Sequence, residues 1–341
     1  MTATDRRGAR ALQILFGLAV SVGMVWWAFK SYRLIDIWHA MLSAHPLPLL
    51  LAVVLATLPF ALRVPRWQLL LRQDAGDKVA AWPMWRATSI GFAANNVLPF
   101  RAGEILRVMA VSRLAPVSFG AALSSLAVER VLDGLVMVSL LGAGLVISRF
   151  PADVRIGDKT PIGVLAVRTG VICLVALGIA ILAAWQRART LQLVHRIIPH
   201  NSFGYALHSF AERVLLGLGA LSDIRRSAPV IAWTIVIWLV NASAFFVAFA
   251  AYDLAVPFAG ALIVQGALMF AIALPQGPGY FGVFEVTIKA TLVSLFAIPG
   301  DRALAYALAY HITTFIPIVL FGVHSAAKSG VHLRVPHRGE G

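Results

Sequence analysis

LAVPFAGALIVQGALMFAIALPQGPGYFGVF, Leu254 to Phe284, runs for 31 residues without a charged side chain. One helix needs about 20 apolar residues to cross the hydrocarbon core of a bilayer. The stretch is therefore too long for one ordinary span, and Pro275-Gln-Gly-Pro-Gly279 interrupts it. Two spans or two half-helices fit, the second continuing to about Ile298. The rest of the chain agrees: of 341 residues, 60% are hydrophobic and 13% charged, with a mean hydropathy of +0.82. Soluble chains carry about 25% charged residues. A soluble enzyme and a disordered chain are both excluded, and the expected fold is an all-α polytopic membrane protein of about eight transmembrane helices, some broken or re-entrant.

Working outward, the first span is expected over Ala11–Phe29, behind Arg6, Arg7 and Arg10; Trp26 and Trp27 stand where a signal peptide would have small residues. Lys30 to His45 reads as an external loop. A second span is expected over Leu47–Leu62, ending early or kinked at Pro59 and Pro65, before a basic stretch holding Arg63 and Arg66 that reads as a cytoplasmic signature. Ala87 to Phe100 is apolar, too short to span and flanked by Arg86 and Arg101, the pattern of a re-entrant segment. Val117–Ser148 forms one long helix or two pieces, Arg149–Thr160 an external loop, Pro161–Trp185 the fourth span, Arg187–Arg226 a basic cytoplasmic loop, and Ser227–Tyr252 the fifth span. The last span is Ala303 to about Ala327. Residues 1–10 and 328–341 are then cytoplasmic, flanking a single transmembrane domain over 11–327.

The charge balance, 29 Lys+Arg against 15 Asp+Glu, reads as basic loops that hold the cytoplasmic side and meet anionic lipid; nucleic acid is not expected as a partner. Gly277-Pro-Gly279-Tyr-Phe-Gly282 fits G-x-G-x-x-G but lies in a membrane run without a βαβ context. His195, His200 and His208 lack metal-ligand spacing. No metal, cofactor or catalytic residue is expected.

Two interrupted segments echo one another: Asn95-Asn96-Val-Leu-Pro99-Phe-Arg101-Ala-Gly103-Glu104, and Leu-Pro275-Gln-Gly277-Pro-Gly279-Tyr-Phe-Gly282-Val-Phe-Glu285. Each has Leu-Pro, a glycine four residues on and then a Glu, and the two prolines lie 176 residues apart. Paired broken helices in two halves point to a transporter site, and raise an internal two-fold repeat over about 11–160 and 161–327. A broken helix exposes unpaired N–H groups and a positive dipole end, which suit an anionic head group. Arg101, Glu104, Arg107 and Glu285 are the candidate head-group ligands. Asn95, Asn96, Pro99, Gly103, Pro275, Gly277, Gly279 and Gly282 would shape the supporting loops. Charges at membrane depth are costly. Glu129, Arg130 and Asp133 on the third span, and Lys289 one turn after Glu285, read as a structural charge cluster; Glu129 and Asp133 share a face and call for an Arg from another segment. His311 reads as a core histidine.

The run from Asn95 to Arg107, Glu129-Arg130-Val-Leu-Asp133, and Pro275 to Glu285 together resemble the lysylphosphatidylglycerol synthase transmembrane-domain family, over about residues 11–327. The resemblance implies a membrane domain associated with flipping a modified lipid, found elsewhere fused to a soluble aminoacyl-transferase domain; standalone relatives are linked to hopanoid transport and archaeal glycosylation. That soluble domain is absent from this sequence, so lipid aminoacylation is not expected. Gln276-Gly277-Pro278 departs from a Pro-Gly-Gly type run in relatives, which changes the loop. The expectation is a lipid translocase of the inner (cytoplasmic) membrane for a polar or anionic phospholipid in envelope lipid synthesis, a transporter more than an enzyme. Its partners would be membrane lipids and a separate lipid-synthesising enzyme. The alternatives are a membrane glycosyltransferase or lipid-modifying enzyme, and a scaffold in the same synthesis.

Overall fold

The computed structural model describes residues 33–74, 76–98, 101–148, 224–273 and 277–329, with isolated positions elsewhere. The elements are helical: α1 (Leu34–Leu42), α2 (Pro46–Leu70), α3 (Ala81–Val97), α4 (Ala102–Leu114), α5 (Phe119–Ile147), α6 (Ile224–Ala251), α7 (Phe258–Ala271), a 3₁₀ turn (Pro278–Tyr280), α8 (Val283–Phe296) and α9 (Gly300–Ser329). A two-residue antiparallel pair, Arg155–Ile156 with Thr160–Pro161, is the exception. Five stretches are long and apolar enough to cross a membrane: α2, α5, residues 228–251 of α6, 278–296 and α9; α7 is apolar but short. The expected spans over 11–29 and 161–185, the loop over 187–223 and the tail after 329 lie outside the described residues.

Several expectations are corrected. Part of the loop expected between Lys30 and His45 is α1, with Trp38 exposed on it and Ile37 buried. The second span does not end at Leu62. It passes both prolines and continues to Leu70; proline is tolerated inside membrane helices. That extension carries Arg63 and Arg66 into the protein interior instead of onto a cytoplasmic surface. Of the two readings of Val117–Ser148, the single long helix holds, over residues 119–147; Ser118 caps it, accepting from the Ala121 N–H at 3.3 Å.

Helices α3 and α4 fold back on each other around the left-handed residue Arg101 (φ 52°). Glycine makes this hairpin possible. A Cβ on Gly103 would sit 1.9 Å from the Gly91 carbonyl oxygen, and one on Gly91 would sit 2.6 Å from the Arg107 Cβ. The backbones touch where any side chain would separate them. Helix α9 lies against α3 by the same device, since a Cβ on Gly322 would come 2.0 Å from the Ala93 Cβ.

The expected break around Pro275 falls between α7 and α8, which pack on one another. Gly279 (φ 72°), Tyr280 (φ 62°) and Gly282 (φ 88°) turn the chain there. The 3₁₀ turn packs on α3, and a Cβ on Gly279 would lie 3.4 Å from the Asn96 carbonyl oxygen. The two interrupted segments thus meet in space. Beside them the main apolar core gathers Phe245, Phe249, Tyr252, Tyr306 and Tyr310, with ring centroids of neighbouring pairs 4.6–5.9 Å apart.

Candidate functional site

Six charged side chains converge among α2, α4 and α5. Arg63 and Arg66 stand about one turn apart on one face of α2. Glu129, Arg130 and Asp133 occupy a face of α5, and Arg107 comes from α4. Arg66 donates to Asp133 Oδ1 at 2.5 Å and lies 3.0 Å from Glu129 Oε1. Arg107 makes a two-pronged contact with Glu129, at 2.7 and 3.1 Å, while its guanidinium stacks on the Trp67 ring at 3.9 Å. Arg63 donates to Asp133 at 3.3 Å and lies 3.6 Å from Glu129. Arg130 pairs with both acids and reaches Glu104 at 3.5 Å. From α6, Trp238 donates to Asp133 at 3.0 Å, and Thr234 accepts from Arg66 at 3.3 Å.

Glu129 and Asp133 are fully buried, and Arg66 is as well. A charge buried without partners would cost far more than the fold can supply. Here the mutual repulsion of Glu129 and Asp133 is relieved by four guanidinium groups. Four Arg face three acids when Glu104 is included, so the cluster carries one net positive charge.

A second polar pair sits on α8 and α9. Glu285 accepts from the Gly282 N–H at 2.7 Å and meets His311 Nδ1 at 2.7 Å. The imidazole stacks on Phe284 with centroids 4.0 Å apart and lies 4.6 Å from Phe281.

Between the cluster and this pair lies a cavity of about 230 Å³. Arg63 lines it from one side and His311 from the other. Phe60, Phe92, Trp238, Phe245, Phe284 and Phe315 supply apolar wall, and Asn96, Asn241, Gln265, Tyr280 and Thr314 supply polar points.

The structure distributes the sequence candidates unevenly. Asn96 and Tyr280, one from each interrupted segment, line the cavity. Arg101 is half-buried at the N-terminus of α4, within electrostatic reach of Tyr280. Glu104 turns to Arg130, and Arg107 is buried against Glu129. Arg101, Glu104 and Arg107 therefore have three different surroundings. Glu285 lies behind His311. Lys289 is half-buried on α8. Gly103, Gly277, Gly279 and Gly282 are all buried. Asn95 abuts Gly103, its Oδ1 2.6 Å from where a Cβ would be. Pro99 and Pro275 lie outside the described residues. Sequence reasoning missed Arg63, Arg66, Trp238 and the lining role of His311. The three-residue spacing of Arg63 and Arg66 was the available signal, hidden by the assumption that the helix stopped before them.

The fold and site define a helical membrane protein that buries a charged cluster beside a largely apolar cavity. The chain belongs to the family described as the lysylphosphatidylglycerol synthase TM region, whose profile matches residues 14–322. It is also similar to a protein named glycosyltransferase AglD from Haloferax volcanii (strain DS2), 25% identical over 318 residues. That match covers 85% of this chain and 50% of the relative, so the chain spans about half the length of the curated relative it matches.

Proposed function

We propose that this protein is a lipid translocase of the cell membrane, both termini cytoplasmic, which moves a lipid with a polar or anionic head group in envelope lipid or glycan synthesis. One observation carries the reading: the cavity joins a guanidinium, Arg63, to a histidine, His311, across an apolar aromatic wall. A head group needs polar contacts at such a depth, while its chains need apolar surface. The meeting of the two interrupted segments beside this cavity supports the same reading, as does membership in a family whose name refers to a lipid synthase. Arg101, within electrostatic reach of the lining residue Tyr280, would meet incoming phosphate, and Glu285 would orient His311.

The test is translocation in proteoliposomes. Fluorescent phospholipid in the inner leaflet is probed with a membrane-impermeant quencher. The wild type is compared with Glu285→Gln, Arg63→Gln and Arg101→Ala, each checked for folding. The expected result is exposure of inner-leaflet lipid by the wild type and its loss in the Glu285 and Arg63 variants. No exposure over empty liposomes, across several head groups, would overturn the function.

A second reading is favoured by the relative named a glycosyltransferase: a membrane protein that modifies lipid with sugar, or that serves a separate enzyme which does. Incubation with labelled sugar donor and lipid separates the two. A labelled lipid product formed by the purified chain would favour the second.

A further inference from the structure

We infer that Glu285 and His311 form a proton-binding site: the pair takes up one proton when an anionic head group enters the cavity and gives it up when the head group leaves. The proton comes from water on the side of entry and returns to water on the side of exit, so proton and lipid move together. The inference rests on the reading of this cavity as a lipid site.

The geometry of the pair allows two protonation states. Glu285 is 1% exposed and His311 4%. Nδ1 of His311 and Oε1 of Glu285 stand 2.7 Å apart, a distance at which a hydrogen lies between them. The other carboxylate oxygen accepts from the Gly282 N–H at 2.7 Å. With one proton the pair carries one negative charge. With two it is neutral, whichever group holds the second, and the contact between them is kept in both states. His311 lines the cavity and Glu285 does not, so the second proton is exchanged through the imidazole. Phe284 stacks on that ring with centroids 4.0 Å apart, and Phe281 lies at 4.6 Å. Aromatic faces attract a cation placed against them, so the surroundings accommodate an imidazolium.

Charge across the cavity sets the coupling. The ion cluster, with Arg63 at its edge, has four arginines against three acids and carries one net positive charge. The singly protonated pair balances it. An anion entering between them then adds one uncompensated negative charge at membrane depth, which is costly. A second proton on the pair removes that cost. The neighbouring groups do not make the same change. Arg63 from α2, Tyr280 from the 3₁₀ turn and Tyr310 from α9 line the cavity, while α3, α6 and α7 present neutral side chains to it. Arg101 acts on Tyr280 from the start of α4, and Lys289 stands one turn after Glu285 on α8. Asp36 and His39 on α1 and His324 on α9 are exposed. Arginine stays charged, and tyrosine and lysine titrate near about pH 10 in water. A histidine–carboxylate pair is the group that changes charge near neutral pH.

The experiment uses the full chain in neutral detergent, with fluorescent phosphatidylglycerol as the anionic probe. Anisotropy reads binding, and an indicator dye in weak buffer reads proton uptake, from about pH 5 to about pH 9, the range around the histidine titration. The wild type is expected to take up close to one proton per lipid bound within that range. Its affinity is expected to fall by up to about tenfold per pH unit as the pair loses its proton, since the two bindings are linked. Two variants separate a charge role from a structural one. Glu285→Gln gives the pair the charge of its loaded state, and is expected to bind at about pH 7 at least as tightly as the wild type, without proton uptake. It holds lipid with no proton to release, which accounts for its expected loss of lipid exposure. His311→Gln keeps a donor to Glu285 but leaves a carboxylate that stays charged at about pH 7. It is expected to bind about tenfold more weakly there, within the usual range for coupled sites. A purely structural pair would weaken binding in both variants alike, and that result would overturn the proton site. Lipid binding by the wild type without proton uptake at any pH would overturn it as well, with no variant needed. In phosphatidylcholine proteoliposomes carrying the probe in the inner leaflet, an acidic interior is expected to speed exposure. Exposure indifferent to the gradient would overturn the coupling and leave the translocase reading standing. Proton-linked binding with inactive proteoliposomes would sink the translocase reading and leave the proton site standing.

Discussion

Glu129→Gln removes one charge and almost no volume, and it strikes the point where the buried cluster is most concentrated. Glu129 Oε1 alone lies within ion-pair distance of Arg63, Arg66, Arg107 and Arg130. Without that charge, the four guanidinium groups face only Asp133 and the partly exposed Glu104, and the net charge rises from one to two. Breaking a buried pair by removing one partner costs about 3–5 kcal/mol, because the other charges stay buried. Measured as unfolding free energy in mixed detergent, a loss of about that size is expected. A second substitution makes the reasoning sharper. Arg107→Met removes the guanidinium that Glu129 grips with both oxygens, at 2.7 and 3.1 Å, and keeps an apolar side chain against Trp67. In the double variant the net charge returns to one. The double variant is therefore expected to be more stable than Glu129→Gln alone, with a coupling energy above about 1 kcal/mol. Additive losses in the two single variants would refute the claim that charge balance holds these helices together. So would a Glu129→Gln protein as stable as the wild type.

Gly103→Ala is expected to disrupt the α3–α4 hairpin and lower the melting temperature in detergent. Gly120→Ala and Gly134→Ala, where nothing lies within 4 Å of the new Cβ, are expected to be neutral or to stabilise α5 by up to about 1 kcal/mol each. Equal melting of all three would refute the close approach at Gly91. Trp67→Phe removes the hydrogen bond from Nε1 to Ser125 Oγ at 2.9 Å but keeps a ring beneath Arg107. Its expected cost is about 0.5–1.5 kcal/mol, that of one lost hydrogen bond, since Ser125 Oγ still donates to the Ala122 carbonyl at 2.8 Å; the same unfolding measurement reads it. His311→Phe, which retains the ring stack on Phe284 but leaves Glu285 with a single donor, is expected to slow lipid exposure in proteoliposomes at least tenfold. A variant with wild-type rates would remove His311 from the site.

How much of this was legible before folding depends on the range over which each residue acts. The apolar runs at 227–252, 254–284 and 303–327 declared membrane helices, because hydropathy is a property of each segment alone. The break after Ala271, expected around Pro275, and the turn after Val97, expected at Pro99, were legible for the same reason: Pro and Gly act on their own backbone. Glu129 and Asp133 announced that a cationic partner was needed, since two acids on one helix face cannot be buried alone. Which cations answer them was not legible. Arg63 and Arg66 look identical, in sequence, to the positive residues that close a span at the cytoplasmic face. Only the course of α2 through Pro59 and Pro65 turns them inward, and that course is set by the packing of α6 against α2, far away in the chain. Arg107 shows the converse. Spacing placed it beside Arg101 and Glu104 as one phosphate-binding row, yet Gly91 lets α4 approach α3 so closely that Arg107 is drawn in against Glu129 and Trp67. A missing Cβ sixteen residues away thus decides whether an arginine serves a ligand or the fold. Arg63 lines the cavity from the edge of a cluster that is neutral without it, three arginines against three acids. Local chemistry therefore named the charges, and long-range packing divided them between holding the helices together and lining the cavity.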